Sequence, residues 1–152
     1  MAVIDPASTG EEILVIHPST ASGIDNLDAV HAYFSALENH DLDRVRPYLS
    51  PRAIEAIASF ADGANAPFPV FDGPSDVLGY LGIIVANFEE IQMAERSVFV
   101  ADGAATIFAE VAGHLMIART GTSYRNVYLF KFSFDENLIT HITEYANPSV
   151  WL

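Results

Sequence analysis

Apolar positions recur at intervals of three and four up to about residue 90, and at intervals of two after it. Leu27, Val30, Phe34 and Leu37 form one stripe at helical spacing, with His31 and Tyr33 on its flanks. Asp25 or Asn26 is placed to cap this first helix, because a short polar acceptor satisfies the free amides of a first turn. Asp41 opens a short second helix that Pro47 limits. Ser50-Pro51 reads as a cap followed by a first-turn proline, starting a third helix to about Ala61 that Gly63 closes. Three prolines and one glycine in Ala64 to Pro74 mark a loop or short irregular strand. A fourth helix then runs to about Glu90 on Val77, Leu81, Ile84, Val85 and Phe88, with Tyr80 beside the stripe.

The second half predicts strands over Glu95 to Ala101, over Ala104 to about Ala118, and in a long hairpin from Tyr124 to Pro148. A three-residue loop, Asp135-Glu136-Asn137, pairs Phe134 with Leu138 and Phe132 with Thr140. The same ladder sets Phe130 against Ile142, Tyr128 against Glu144 and Asn126 against Ala146. All these even-numbered side chains share one face. The other face carries Arg125, Lys131, Ser133, His141 and Thr143, with Val127, Leu129 and Ile139 among them. One face is thus mostly aromatic yet holds Glu144, and an isolated carboxylate is costly to bury. Helices followed by an antiparallel sheet make an α+β domain: a curved sheet wrapped over three or four helices, a cone with a pocket at its mouth. Residues 1–24 read as a partly flexible arm around the apolar piece Ile13 to Ile16, and 25–152 as one domain.

Composition narrows the function. A chain of 152 residues with 51% hydrophobic content can build a single core. A net charge of −13 and a pI near 4.4 argue against nucleic acid and anionic membrane as partners, since both demand clustered Lys and Arg. There is no cysteine, so disulfide and thiolate chemistry drop out. The acidic start lacks the basic segment of a secretory signal, which makes the cytoplasm the expected location. The run Val77 to Phe88 is about half the length a membrane span needs. Five histidines at 17, 31, 40, 114 and 141 show no i,i+4 pair, and no phosphate loop or dinucleotide motif occurs. Chemistry without metal or organic cofactor, or plain binding of a small hydrophobic molecule, is the expectation.

Glu144 is the leading candidate for catalysis. In an apolar pocket its charged form is disfavoured, so it can exchange protons near neutral pH; at a frayed strand end it would simply be solvated. Tyr128 and Asn126 can orient a substrate carbonyl, or serve as buried groups with structural partners. Phe130, Tyr33, Tyr80, His31 and His114 are candidates for binding substrate on the pocket wall, though residues such as His31 and Tyr80 more often serve core packing. His114 and Glu110, four apart on one strand, fit an acid–base pair or an exposed ion pair.

Tyr124-x-Asn126-x-Tyr128, Phe132-Ser-Phe134, Ile139 and Thr143-Glu144-Tyr145-Ala-Asn147-Pro148, together with Glu110-Val-Ala-Gly113-His114, resemble the SnoaL-like branch of the NTF2-like superfamily. Within that branch the resemblance is to the phenazine-biosynthesis A/B proteins and covers roughly Asp25 to Pro148. It implies a cone-shaped α+β barrel, a homodimer formed through the sheet, a deep pocket and no cofactor. Relatives include ketosteroid isomerases, polyketide cyclases and limonene epoxide hydrolases, several with a pocket carboxylate at the position of Glu144. The position of the phenazine proteins' pocket histidine falls on Tyr80, a departure from phenazine condensation itself. The expectation is a cofactor-independent isomerase, cyclase or lyase for a ring-containing carbonyl metabolite, or a non-catalytic binding or dimeric scaffold protein on the same fold.

Overall fold

A computed structural model describes residues 21–58 and 69–147. The elements are α1 (Ala21–Glu38), β1 (Leu49–Ile57), β2 (Val70–Asp72), α2 (Pro74–Asn87), β3 (Phe88–Ala101), β4 (Thr106–Ile117), β5 (Thr122–Asp135) and β6 (Leu138–Ala146). Short 3-10 turns occupy Leu42–Arg44, Arg46–Tyr48 and Asp102–Ala104. The strands form one curved sheet in the order β2-β1-β6-β5-β4-β3, antiparallel at every junction except the parallel pair β1–β6. The α+β layout is as expected, with fewer helices under the sheet.

Beneath the inner face of the sheet, α1 supplies Tyr33 and Phe34 to a cluster with Phe130 and Phe132 of β5. Each helix ring meets the two strand rings edge-on at centroid distances of 5.2 to 6.0 Å, the arrangement their quadrupoles favour. All four are buried, each side chain contributing about 2–3 kcal/mol of hydrophobic stabilisation.

Several expectations are corrected. The first helix starts earlier than the cap assigned to it. Asn26 lies inside α1, buried, and donates from Nδ2 to the Ala104 carbonyl at 2.8 Å. The second helix is two 3-10 turns, in which Asp41 accepts from Arg44 Nε at 3.2 Å instead of capping backbone amides. The third helix is strand β1: Ala53 and Glu55 face the core, and the segment is held by β2 on one side and β6 on the other. Pairing on both edges outweighs the helical signal of Ser50-Pro51. The fourth helix stops at Asn87, where Phe88 turns to an extended conformation and opens β3.

The hairpin also pairs differently. The turn is two residues, Glu136 and Asn137, both at positive φ (49° and 62°), which closes Asp135 on Leu138. A bulge between Ser133 and Phe134 then adds a second shift of one. Tyr128 therefore faces Ala146 and Phe130 faces Glu144. Two shifts of one residue restore parity, so Glu144 stays on the inner face. Ile139 precedes the bulge on its strand and is buried in the core, not on the polar face. The arm and its Ile13 to Ile16 piece lie outside the described residues up to position 20, as does His17, and the end of the expected third helix falls in 59–68.

Candidate functional site

Three layers meet around a cavity of about 250 Å³. Tyr33 comes from α1, Tyr80 and Leu81 from α2, and Tyr124, Tyr128, Phe130 and Glu144 from the two hairpin strands. Leu37, Ile57, Ile84, Phe88, Met93, Leu115 and Ala146 complete the wall. A wider, shallower groove of about 710 Å³ lies between the first 3-10 turns and the start of α2, lined by Leu42, Arg46, Pro51, Pro74 and Leu78 among others. It holds no carboxyl group, and the titratable chemistry is concentrated in the smaller cavity.

Glu144 lies directly across the ladder from Phe130 and accepts a hydrogen bond from the Tyr80 hydroxyl at 2.8 Å. Tyr80 is fixed in turn by stacking on Phe71 of β2, with ring centroids 4.4 Å apart. Burial pushes the Glu144 carboxyl above its usual range, while the Tyr80 hydrogen bond pulls it down. Tyr80 itself is held protonated by burial and by the Glu144 charge.

Behind Tyr33 lies a second carboxyl that the sequence reading did not single out. Glu55 of β1 is fully buried, with its Oε1 2.5 Å from the Tyr33 hydroxyl and its Oε2 without a hydrogen-bond partner. The parallel register pairs Glu55 with Ile142 and Ile57 with Glu144, so the two carboxyls are near neighbours on the inner face of adjacent strands. Burial raises the Glu55 carboxyl well above the ordinary range, the Tyr33 hydrogen bond opposes this, and the Glu144 charge adds to it. The Tyr33 hydroxyl is raised by burial first and then by Glu55 and Glu144.

Of the sequence candidates, Glu144, Tyr128, Phe130, Tyr80 and Tyr33 come together on the cavity wall. Tyr128 is hydrogen-bonded to Tyr124 and stays protonated, chiefly through burial. Its ring lies over Gly113 of β4, where a Cβ would come within 2.5 Å of Tyr128 Cε2. Asn126 is buried but does not line the cavity. Its amide donates to the Tyr124 hydroxyl (2.7 Å) and the Asn147 carbonyl (3.3 Å), and accepts from the Val127 and Asn147 amides (2.8 and 3.1 Å). That set stitches β5 to the end of β6. His31 is half-buried on α1 and is not among the lining residues. His114 and Glu110 occupy even positions of β4, whose odd positions face the core, so both sit on the outer face, with Glu110 exposed. Among the described residues no group of three or more His, Asp or Glu is placed to hold a metal ion, and no helix is long and apolar enough to cross a membrane.

A comparison with curated proteins finds no significant match. Solved structures match over most of their length. A candidate polyketide cyclase from Xanthomonas campestris is 19% identical, with a TM-score of 0.71 over 86% of this chain and 96% of that one. A phenazine biosynthesis-related protein from Pseudomonas aeruginosa is also 19% identical, with a TM-score of 0.70 over 86% and 84%. A candidate isomerase from Bacillus subtilis is 15% identical, with a TM-score of 0.73 over 86% and 92%. At these identities the likeness is one of fold, the NTF2-like fold named for further neighbours. The model of the SnoaL-like domain matches residues 30–142, ending two residues short of Glu144, and the chain belongs to that family.

Proposed function

We propose that the protein is a cofactor-independent acid/base enzyme, of the isomerase, cyclase or lyase type, for a hydrophobic ring-containing carbonyl compound. The observation that carries this reading is Glu144, a carboxyl raised by burial and held by one tyrosine on the wall of an aromatic cavity. An enclosed apolar space of about 150 Å³ already takes up benzene, so 250 Å³ suits a substituted ring or a compact bicycle. Neighbours described as candidate cyclases and isomerases on the same fold support the class of reaction, although fold alone does not transfer a reaction. Glu144 in its ionised form removes a proton next to the carbonyl and returns it elsewhere. Tyr80 fixes the orientation of that carboxyl, and Tyr128, Phe130 and Tyr33 hold the ring. Glu144→Gln should lower turnover by about 10²–10⁴-fold while the fold is kept. Full activity in that variant would reject the reading.

A second reading rests on a separate observation. Val127, Leu129 and Tyr145 are 57%, 38% and 44% exposed on the outer face, with Leu129 and Tyr145 paired across the hairpin. A homodimer through this face, with or without catalysis, would cover them. Light scattering tests it: a stable monomer at micromolar concentration excludes the dimer.

A further inference from the structure

Glu55 is the carboxyl that the chemistry above leaves unused. No cation acts on it among the described residues, and the charged neighbour that does is a second carboxyl, Glu144. An ionised carboxylate offers about four acceptor sites, and leaving most of them empty in the interior costs several kcal/mol. A neutral acid in the same place forfeits much less, since one unpaired carbonyl oxygen is the more tolerable vacancy. The neutral form also reverses who donates. Ionised Glu55 can only accept, which ties up the single Tyr33 proton. Neutral Glu55 donates to the Tyr33 oxygen across the same 2.5 Å separation. The Tyr33 proton is then free to turn into the cavity that Tyr33 lines.

We infer that Glu55 is a positioning residue, a buried neutral acid that donates to Tyr33 and so makes the Tyr33 hydroxyl the donor to the carbonyl oxygen of a compound bound beside Glu144. The inference rests on the acid/base reading and adds the group that receives the developing negative charge. Glu144 carboxylate breaks a C–H bond next to the carbonyl and takes the proton. The C–H electron pair forms a new C=C bond, and the carbonyl π pair moves onto oxygen. There the Tyr33 O–H stabilises it by hydrogen bonding and keeps its own proton. In a substrate with a C=C next to the reacting carbon, Glu144 then delivers the proton to the far carbon of that double bond, whose π pair forms the new C–H bond. The first-formed C=C moves one position and the C=O re-forms, with no other reactant consumed. Donors of this kind are worth about 10²–10³ in turnover.

Two measurements on the full chain test this, and neither needs turnover. The first is infrared spectroscopy at neutral pH with ¹³C-labelled glutamate. A protonated-carboxyl C=O band should appear, persist in Glu144→Gln and vanish in Glu55→Gln. Absence of the band, or its loss in Glu144→Gln, overturns the inference, and the wild-type and Glu144→Gln spectra suffice even if Glu55→Gln does not fold. The second uses acetophenone, one ring with one carbonyl, as the bound probe. Its C=O stretch should move to lower frequency on binding, keep that shift in Glu55→Gln, whose amide still donates to Tyr33, and lose it in Tyr33→Phe. A shift retained in Tyr33→Phe, or no saturable binding to the wild type, overturns the donor role. A fully active Glu144→Gln would instead reject the acid/base reading and leave both spectral results standing.

Discussion

Glu38 ends α1 against the guanidinium of Arg96, whereas Glu55 and Glu144 meet tyrosine hydroxyls. At the first site a bulge between Ala94 and Ser97, with Glu95 at φ 50°, switches which residues of β3 face inward. Arg96 therefore points into the core, 5% exposed, with its guanidinium carbon 4.9 Å from the centre of the Phe34 ring. It donates to the Met93 carbonyl, and its other arm reaches Glu38 Oε1 at 2.6 Å, an oxygen that also accepts from the Met93 amide at 2.8 Å. Charge, hydrogen bonds and stacking are all compensated there. At the second site two carboxyls are neighbours, and the groups bonded to them are uncharged tyrosine hydroxyls. A carboxyl matched with a cation locks α1 to the sheet; a buried one matched with a phenol is shifted toward its protonated form. On the proposed reading, the same side chain is structural in one place and reactive in the other because of its partner.

The comparison is broken most severely by Arg96→Ala, which leaves Glu38 without its cation and uncovers Phe34. A loss of about 3 kcal/mol in urea unfolding is expected; a loss under about 1 kcal/mol would place this pair with ordinary surface ion pairs. Next comes pH. Glu55 is raised in the folded state, so the folded protein retains a proton that the unfolded chain gives up above about pH 4.3. Stability is then complete at low pH and falls as pH rises, by about 1.4 kcal/mol per pH unit for each retained proton. Unfolding curves of Glu55→Gln should lack this component of the slope above about pH 4.3. An unchanged slope would mean that Glu55 is ionised in the folded protein.

Gly113→Ala acts on the tyrosine layer. Its Cβ would drive the Tyr128 ring toward the cavity, at about 2 kcal/mol of stability, and exclude a bound ring. Unaltered acetophenone binding in that variant would show that the ring gives way elsewhere. The smallest change is expected from Tyr80→Phe, about 1 kcal/mol for the lost hydrogen bond. It should also raise the Glu144 carboxyl further, because that bond is what lowers it. A ¹³C carboxyl titration reads this, and a downward movement would contradict the assignment.

Glu144 was legible because a period of two depends only on parity. The sequence reading mistook the turn by one residue and missed the bulge by another, and the two errors cancelled on the inner face. Ile139, which lies before the bulge, received no such protection and was assigned to the wrong side. Tyr33 and Tyr80 were accessible from their place beside helical stripes. Glu55 was not. The stretch from Ser50 carries a cap, a first-turn proline and good helix formers, and it becomes a strand only because β6 and β2 pair with it. Local spacing cannot report a partner from the far end of the chain, so the second carboxyl stayed hidden with its strand. Asn126 is buried, as one of its two readings has it, and the backbone of Val127 and Asn147 with the Tyr124 hydroxyl uses all of its amide.

The parallel junction between β1 and β6 sets the order in which the centre comes into being. Without β6, Glu55 would lie beside an open edge of β1, exposed to water. Pairing with β6 seals that edge and brings Glu144 alongside, so burial and a second carboxyl together favour the protonated form of Glu55. With Glu55 neutral, as inferred above, completion of the sheet is a proton-consuming event above about pH 4.3.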